Sequence, residues 1–140
     1  MDIQGIAQGI ARKYKTTDPF RIARDRHVII RYVPLGMVMG YHCYGYRQRF
    51  IIINQELGGH EARFVCAHEL GHIILHPDVN TSFLMRRTLF SVDKIEQQAN
   101  RFAIGLLMAD MQTDGNDVIT ARECMAMYGI PHEFEPLIVR

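Results

Sequence analysis

Gly59-His60-Glu61-Ala62-Arg63-Phe64-Val65-Cys66-Ala67-His68-Glu69-Leu70-Gly71-His72-Ile73-Ile74-Leu75-His76 is the stretch whose reading decides this fold. Its apolar residues Ala62, Phe64, Val65, Ala67, Leu70, Ile73, Ile74 and Leu75 are too many for one narrow stripe, so the spacing predicts a helix packed on most sides. His68, Glu69 and His72 lie in its most apolar half. Burying unpaired imidazoles and a carboxylate costs several kcal/mol unless a metal or hydrogen bonds compensate. The H-E-x-x-H spacing offers that compensation. Side chains four residues apart share a helix face, so His68 and His72 both reach one metal ion, while Glu69 is rotated off that stripe by about 100° toward a metal-bound water. With 7 His in 140 residues, chance gives the pentapeptide in roughly 2% of shuffled chains. The pattern therefore has to be judged by its surroundings.

Gly71, inside the helix, costs roughly 0.5–1 kcal/mol against alanine. It is expected where another backbone or a substrate approaches closely, with a tolerated imperfection as the plainer alternative. His76 continues the His68 and His72 stripe. Four helical residues rise about 6 Å, so three successive imidazoles converge poorly on one ion. With Pro77 ending the helix, His76 is expected as a residue favourable to the helix dipole or as a hydrogen-bonding partner.

A catalytic zinc usually has three protein ligands and one open position, so a third ligand is needed. Residues 91–108 read as a second helix, with Ser91 as N-cap, Asp93 in the first turn, and Val92, Ile95, Ala99, Phe102, Ala103 and Leu106 as its apolar face. Glu96 and Asn100 lie together on one border of that face. A carboxylate at Glu96 can point inward at a metal held by the first helix. Asn100, one turn on, can support that carboxylate or hydrogen-bond a ligand histidine.

HELGHIILH followed by EQQANRFAIGLLM resembles the ImmA/IrrE family of metallopeptidases, whose pattern is H-E-L-G-H with a later E-x-x-A-N-x-F-A-x-x-L-L-M. Ile53-Asn54 and Phe64 fit it too, and the resemblance covers roughly residues 15–110. The second block often ends in proline in that family, whereas Ala109-Asp110 follows Met108 here, a departure that concerns how the helix stops. The resemblance implies zinc ligands His68, His72 and Glu96, with Glu69 as general base. It also implies the short type encoded on phages and mobile elements, which relieves repression by cleaving a helix-turn-helix repressor. The expected reaction is hydrolysis of a peptide bond in one specific protein by a zinc endopeptidase. The alternative is a regulatory protein-binding module that keeps the metal site and has no proteolytic activity. Zinc itself is inferred from ligand type, and iron, cobalt or manganese suit the same donors. His132, Tyr128, Tyr44 and Arg101 are candidates for steadying the oxyanion.

Composition is that of an ordinary globular chain, 48% hydrophobic and 22% charged, without repeats, and a single domain spanning residues 1–140 is expected. The N-terminus lacks the basic start and apolar run of a signal peptide, and no stretch approaches a membrane span, so a cytoplasmic location away from membranes is expected. Cys43, Cys66 and Cys124 are odd in number and widely spaced, and are expected as buried, reduced thiols. Net charge of +1 argues against a nucleic-acid partner. The run Arg12, Lys13, Lys15, Arg21, Arg24, Arg26 and Arg31 is read first as a solvated face and second as a protein-docking surface.

The remaining segments supply a scaffold. Residues 3–14 have helical spacing, and Asp18-Pro19 caps a short helix to about Arg24. His27–Val33, Met37–Tyr46 and Arg49–Ile53, with breaks at Pro34-Leu35-Gly36 and Arg47-Gln48, read as a three-stranded antiparallel meander. Residues 83–90 are expected to add a short strand or an ordered loop. Thr120 and Glu123 form a capping box, and with Gly129 and Pro131 they bound a helix over about 121–128. The expected fold is α+β, a small three-stranded antiparallel sheet packed on helices, similar to the zincin-like minimal metallopeptidase core. By that analogy a substrate peptide would lie extended along a strand near the metal helix.

Overall fold

The computed structural model describes residues 1–80, 83–110, 121–128, 130, 132 and 135–138. Two helices come first: α1 (Ile3–Tyr14), whose N-terminal amides are capped by Asp2, and α2 (Pro19–Asp25), capped by Asp18 with proline in its first turn. Three strands follow, β1 (Val28–Val33), β2 (Val38–Gly45) and β3 (Gln48–Asn54). The long helix α3 (Gly59–Leu75) leads through β4 (Leu84–Met85) and a 3-10 turn (Arg86–Thr88) to α4 (Lys94–Leu107). Short helices α5 (Ala121–Tyr128) and α6 (Glu135–Ile138) complete the described elements. Thr120, Gly129 and Pro131, expected to bound the helix at 121–128, lie outside the described residues.

The sheet departs from the expected meander. It has four strands in the order β1-β3-β2-β4, and β1 runs parallel to β3, with Ile30 opposite Ile51 and Tyr32 opposite Ile53. The β2–β3 hairpin is antiparallel, and β4 adds antiparallel to β2 at Val38 and Gly40. Burial matches the order. Ile51 and Ile53 of β3 are fully buried, as suits a central strand, whereas Arg31 and Tyr32 of β1 are exposed, as suits an edge. The hairpin turns at Tyr46 and Arg47, both at positive φ (53° and 64°), as a type I′ turn requires. Neither is the Asn or Gly that usually marks such a turn.

Asn54 ends β3 with a buried side chain that donates to the carbonyls of Gly36 and Val38, both at 2.9 Å, tying the β1–β2 connection to the sheet. The α4 start also differs from expectation. Asp93, not Ser91, is the N-cap, accepting from the Ile95 amide at 2.9 Å, while Ser91 accepts from the Asp93 amide in the preceding turn.

Every residue of α3 from Ala62 to Ile73 except Arg63 is buried. The helix lies between the sheet and α4, and two glycines set its distances. A Cβ on Gly40 of β2 would lie 2.5 Å from Val65 Cγ1 and 2.8 Å from the Ile52 carbonyl, so β2 rests directly on the helix. A Cβ on Gly71 would lie 3.0 Å from Phe102 of α4. The close approach at Gly71 is therefore made by the Phe102 side chain, not by the backbone or substrate expected there. Among the described residues, no helix is long and apolar enough to cross a membrane.

Candidate metal centre

His68 and His72 face α4 from one side of α3, and Glu96 in the first turn of α4 reaches back between them. His68 Nε2 is 3.0 Å from Glu96 Oε1, His72 Nε2 is 3.2 Å from the same oxygen, and the two ring nitrogens are 3.1 Å apart. Both histidine side chains are essentially buried, and Glu96 is 14% exposed. For three donors bonded to one tetrahedral ion at roughly 2.0–2.1 Å, the separations would be about 3.3–3.4 Å. The three atoms are already spaced to hold a metal ion.

Hydrogen bonding around His68 strengthens that fit. Asn100 Nδ2 donates to the Leu89 carbonyl at 2.6 Å, which turns Asn100 Oδ1 toward His68 Nδ1, 2.8 Å away. An amide oxygen only accepts, so the His68 proton sits on Nδ1 and the Nε2 lone pair faces Glu96. Lone pairs of two imidazoles and a carboxylate at such distances repel unless a cation or a proton lies between them. The donor set therefore fits a divalent metal preferring nitrogen and oxygen ligands. His72 Nδ1 is buried without a hydrogen-bond partner among the described residues, so its tautomer lacks the anchor that His68 has.

The metal-free cluster holds its charges as an ion pair. Burial raises the Glu96 carboxyl, but hydrogen bonds and charge from His68 and His72 outweigh it and hold the group far below the usual carboxylate range. Burial likewise opposes protonation of His68, and the Glu96 hydrogen bond, the Glu69 and Glu96 charges and the Asn100 amide overcome it, so its value lies above the ordinary 6.5.

Glu69 lies beside the three donors, 1% exposed. Its Oε2 is 4.0 Å from His68 Nε2 and is buried with no hydrogen-bond partner among the described residues. Its Oε1 is 2.8 Å from Nδ1 of His42, a β2 residue whose side chain is only 6% exposed. His42 is absent from the sequence expectations. Its signal was weak but present: a histidine alternating with Gly40 on β2, opposite the fully buried Ile51.

The other expectations divide. His76 bonds Gln98 of α4 and is no part of the cluster, in line with its expected role as a hydrogen-bonding partner. Tyr44, Arg101 and His132 are exposed, and Tyr44 packs against the Arg49 guanidinium; the Tyr128 side chain lies outside the described residues. Cys66 is buried, and burial, with the Asp18 and Glu69 charges, pushes its thiol far above the ordinary value. Arg12, Lys13, Lys15, Arg21, Arg24 and Arg31 are exposed, whereas Arg26 donates to the Tyr14 hydroxyl at 3.3 Å.

Residues 23–115, which include His42, His68, Glu69, His72, Glu96 and Asn100, match the model of the IrrE N-terminal-like domain, a peptidase family. This chain belongs to the ImmA/IrrE family of metallopeptidases. Over 105 residues it is 32% identical to Metallopeptidase ImmA of Bacillus subtilis strain 168, covering 74% of this chain and 61% of that protein. A second relative, described as uncharacterized immunity region protein 2 of Bacillus phage phi105, is 40% identical over 140 residues, 96% of this chain and 87% of the relative.

Proposed function

We propose that this metallopeptidase is a zinc-dependent endopeptidase, gluzincin-like in its H-E-x-x-H plus Glu ligand set, that cuts a helix-turn-helix repressor in the cytoplasm. His68, His72 and Glu96 hold the ion, Glu69 is the general base, and Asn100 fixes the His68 tautomer. The observation that carries this reading is the convergence of two imidazole nitrogens and one carboxylate oxygen within 3.2 Å, beside a buried oxygen of Glu69 that has no hydrogen-bond partner among the described residues.

A zinc ion held there supplies Lewis acidity, lowering the pKa of a coordinated water to near 7 and polarising the scissile carbonyl. Glu69 Oε2 takes the proton of the attacking water and delivers it to the leaving amine. Glu69 is 1% exposed, which keeps competing solvent from that carboxylate. A substrate peptide would lie along β2, which rests on α3 in a zincin-like manner; beyond Gly40 its outer edge has no strand partner among the described residues. The repressor substrate is supported by the phage phi105 relative, whose name places it in an immunity region, since such regions are governed by repressors.

The test is cleavage of a purified helix-turn-helix repressor from the same genetic element by the zinc-loaded protein. Glu69→Gln should keep its zinc and lose 100-fold or more in rate, the usual share of general-base catalysis. If Glu69→Gln relieves repression in cells as well as wild type does, the protein acts by binding and the peptidase mechanism is wrong.

A further inference from the structure

We infer that His42 is a positioning residue for Glu69, holding one carboxylate oxygen so that the other is the working base. The inference deepens the proposed function and rests on Glu69 being the base there.

The geometry carries it. His42 Nδ1 lies 2.8 Å from Glu69 Oε1, and an ionised carboxylate only accepts, so the imidazole proton is on Nδ1 and points at Oε1. Oε2 is left buried and, among the described residues, unpartnered, 4.0 Å from the His68 nitrogen that faces Glu96. The two oxygens of one carboxylate thus have different occupations. Oε1 is engaged from the sheet side, and Oε2 faces the ligand cluster. The carboxylate plane of a glutamate otherwise turns freely about its last torsion, which is broad and roughly two-fold. A single donor on Oε1 removes that freedom at the group whose orientation matters most for proton transfer.

The fold brings His42 there by a device separate from the metal helices. On β2, Gly40 and His42 alternate onto the face that meets α3. Gly40 lets the strand descend onto Val65, and the next inward residue is His42, with its ring centroid 5.6 Å from that of His72. The strand that would carry the substrate therefore also carries the group that orients the base. Displacement of β2 would turn Glu69.

The experiment reads Glu69 without needing the natural substrate. Acetohydroxamic acid, titrated into cobalt-loaded full-length protein and followed by the visible spectrum, chelates the metal and gives its hydroxyl proton to the neighbouring carboxylate. Its affinity therefore depends on a correctly turned Glu69. His42→Leu should bind cobalt as tightly as wild type and weaken acetohydroxamate about 10-fold, the loss of one hydrogen bond to a charged group. His42→Asn, whose amide places a donor near the Nδ1 position, should return affinity to within about threefold of wild type. If His42→Leu does not fold, His42→Phe keeps the ring volume without the donor and serves the same comparison. Wild-type acetohydroxamate affinity in a folded, cobalt-loaded His42→Leu or His42→Phe protein overturns the inference. So does failure of His42→Asn to recover affinity. Glu69→Gln distinguishes the two levels: if it binds acetohydroxamate as tightly as wild type, Glu69 is no proton acceptor and the proposed mechanism itself is wrong.

Discussion

Replacing Asn100 by alanine should weaken binding of zinc, the proposed metal, 10- to 100-fold while leaving the three proposed ligands in place. The magnitude follows from the hydrogen-bond chain Leu89–Asn100–His68. Metal binding through His68 Nε2 requires the proton on Nδ1, and in the native protein that proton meets Asn100 Oδ1 at 2.8 Å. His68 is fully buried, so without the amide its N–H has no water to turn to. An unsatisfied buried donor costs about 1–3 kcal/mol, or roughly 5- to 150-fold in affinity. That range brackets the 10- to 100-fold usual for lost outer partners of metal-bound histidines. Above the raised His68 value the metal-free imidazole is neutral and free to place its one proton on Nε2 facing Glu96, so in that pH range the cost falls on the metal-bound state. Loss of the 2.6 Å bond to the Leu89 carbonyl is a separate effect. It destabilises both states by about 1 kcal/mol and is read as a lower melting temperature of the metal-free protein. Competition against a fluorescent zinc chelator at constant pH measures the first effect, and thermal melting in EDTA measures the second. Asn100→Asp should keep affinity within about threefold, since it retains the acceptor, while facing a carboxylate to the Leu89 carbonyl and melting lower. A dissociation constant for Asn100→Ala within twofold of wild type would refute the tautomer argument.

Three further outcomes are expected. In EDTA, His68 above its ordinary 6.5 stabilises the fold fully below that value and loses this contribution as pH rises through the folded value; Glu96, depressed from 4.5, stabilises above 4.5 and loses it as pH falls. Melting of the metal-free protein should therefore be highest between those two values and decline as pH rises through the raised His68 value, whereas zinc affinity, which requires expelling the His68 proton, rises over the same interval. Gly40→Ala places a Cβ against Val65 and the Ile52 carbonyl, and overpacking of that kind costs about 1–3 kcal/mol, visible as a melting temperature several degrees lower. An unchanged melting temperature would mean that β2 is not seated on α3. Iodoacetamide with peptide mapping should label exposed Cys43 in the native protein and spare Cys66 until denaturant is added, because Cys66 is buried and its thiol is held protonated.

What the sequence makes legible here is what lies within one element. The α3 pattern announces a helix buried on most sides, and every residue from Ala62 to Ile73 except Arg63 is indeed buried. The α4 spacing sets Glu96 and Asn100 one turn apart, and the structure brings both to His68. Sheet order was not legible in the same way. Val, Ile and Tyr identify strands, but Val28-Ile29-Ile30 of β1 is as apolar as Phe50-Ile51-Ile52-Ile53 of β3, so composition does not decide whether β1 pairs with β2 or β3. The turn at Tyr46 and Arg47 was obscured because neither residue has the usual preference for positive φ.

The same distinction explains why His42 escaped notice and Glu96 did not. Glu96 reaches the cluster along a helix whose periodicity fixes its face relative to Asn100. His42 reaches Glu69 only because β2 lies close to α3, and that closeness comes from Gly40, which has no side chain and leaves no mark on hydrophobic periodicity. Gly71 does the same on the opposite side, where a Cβ would stand 3.0 Å from the Phe102 ring, and so lets α4, with its carboxylate, come to within ligand distance. The centre is thus held between two close approaches, each set by a missing Cβ. A larger residue at Gly71 should act first on zinc affinity through Glu96. One at Gly40 should act first on Glu69 through His42, leaving the zinc content of the folded fraction intact.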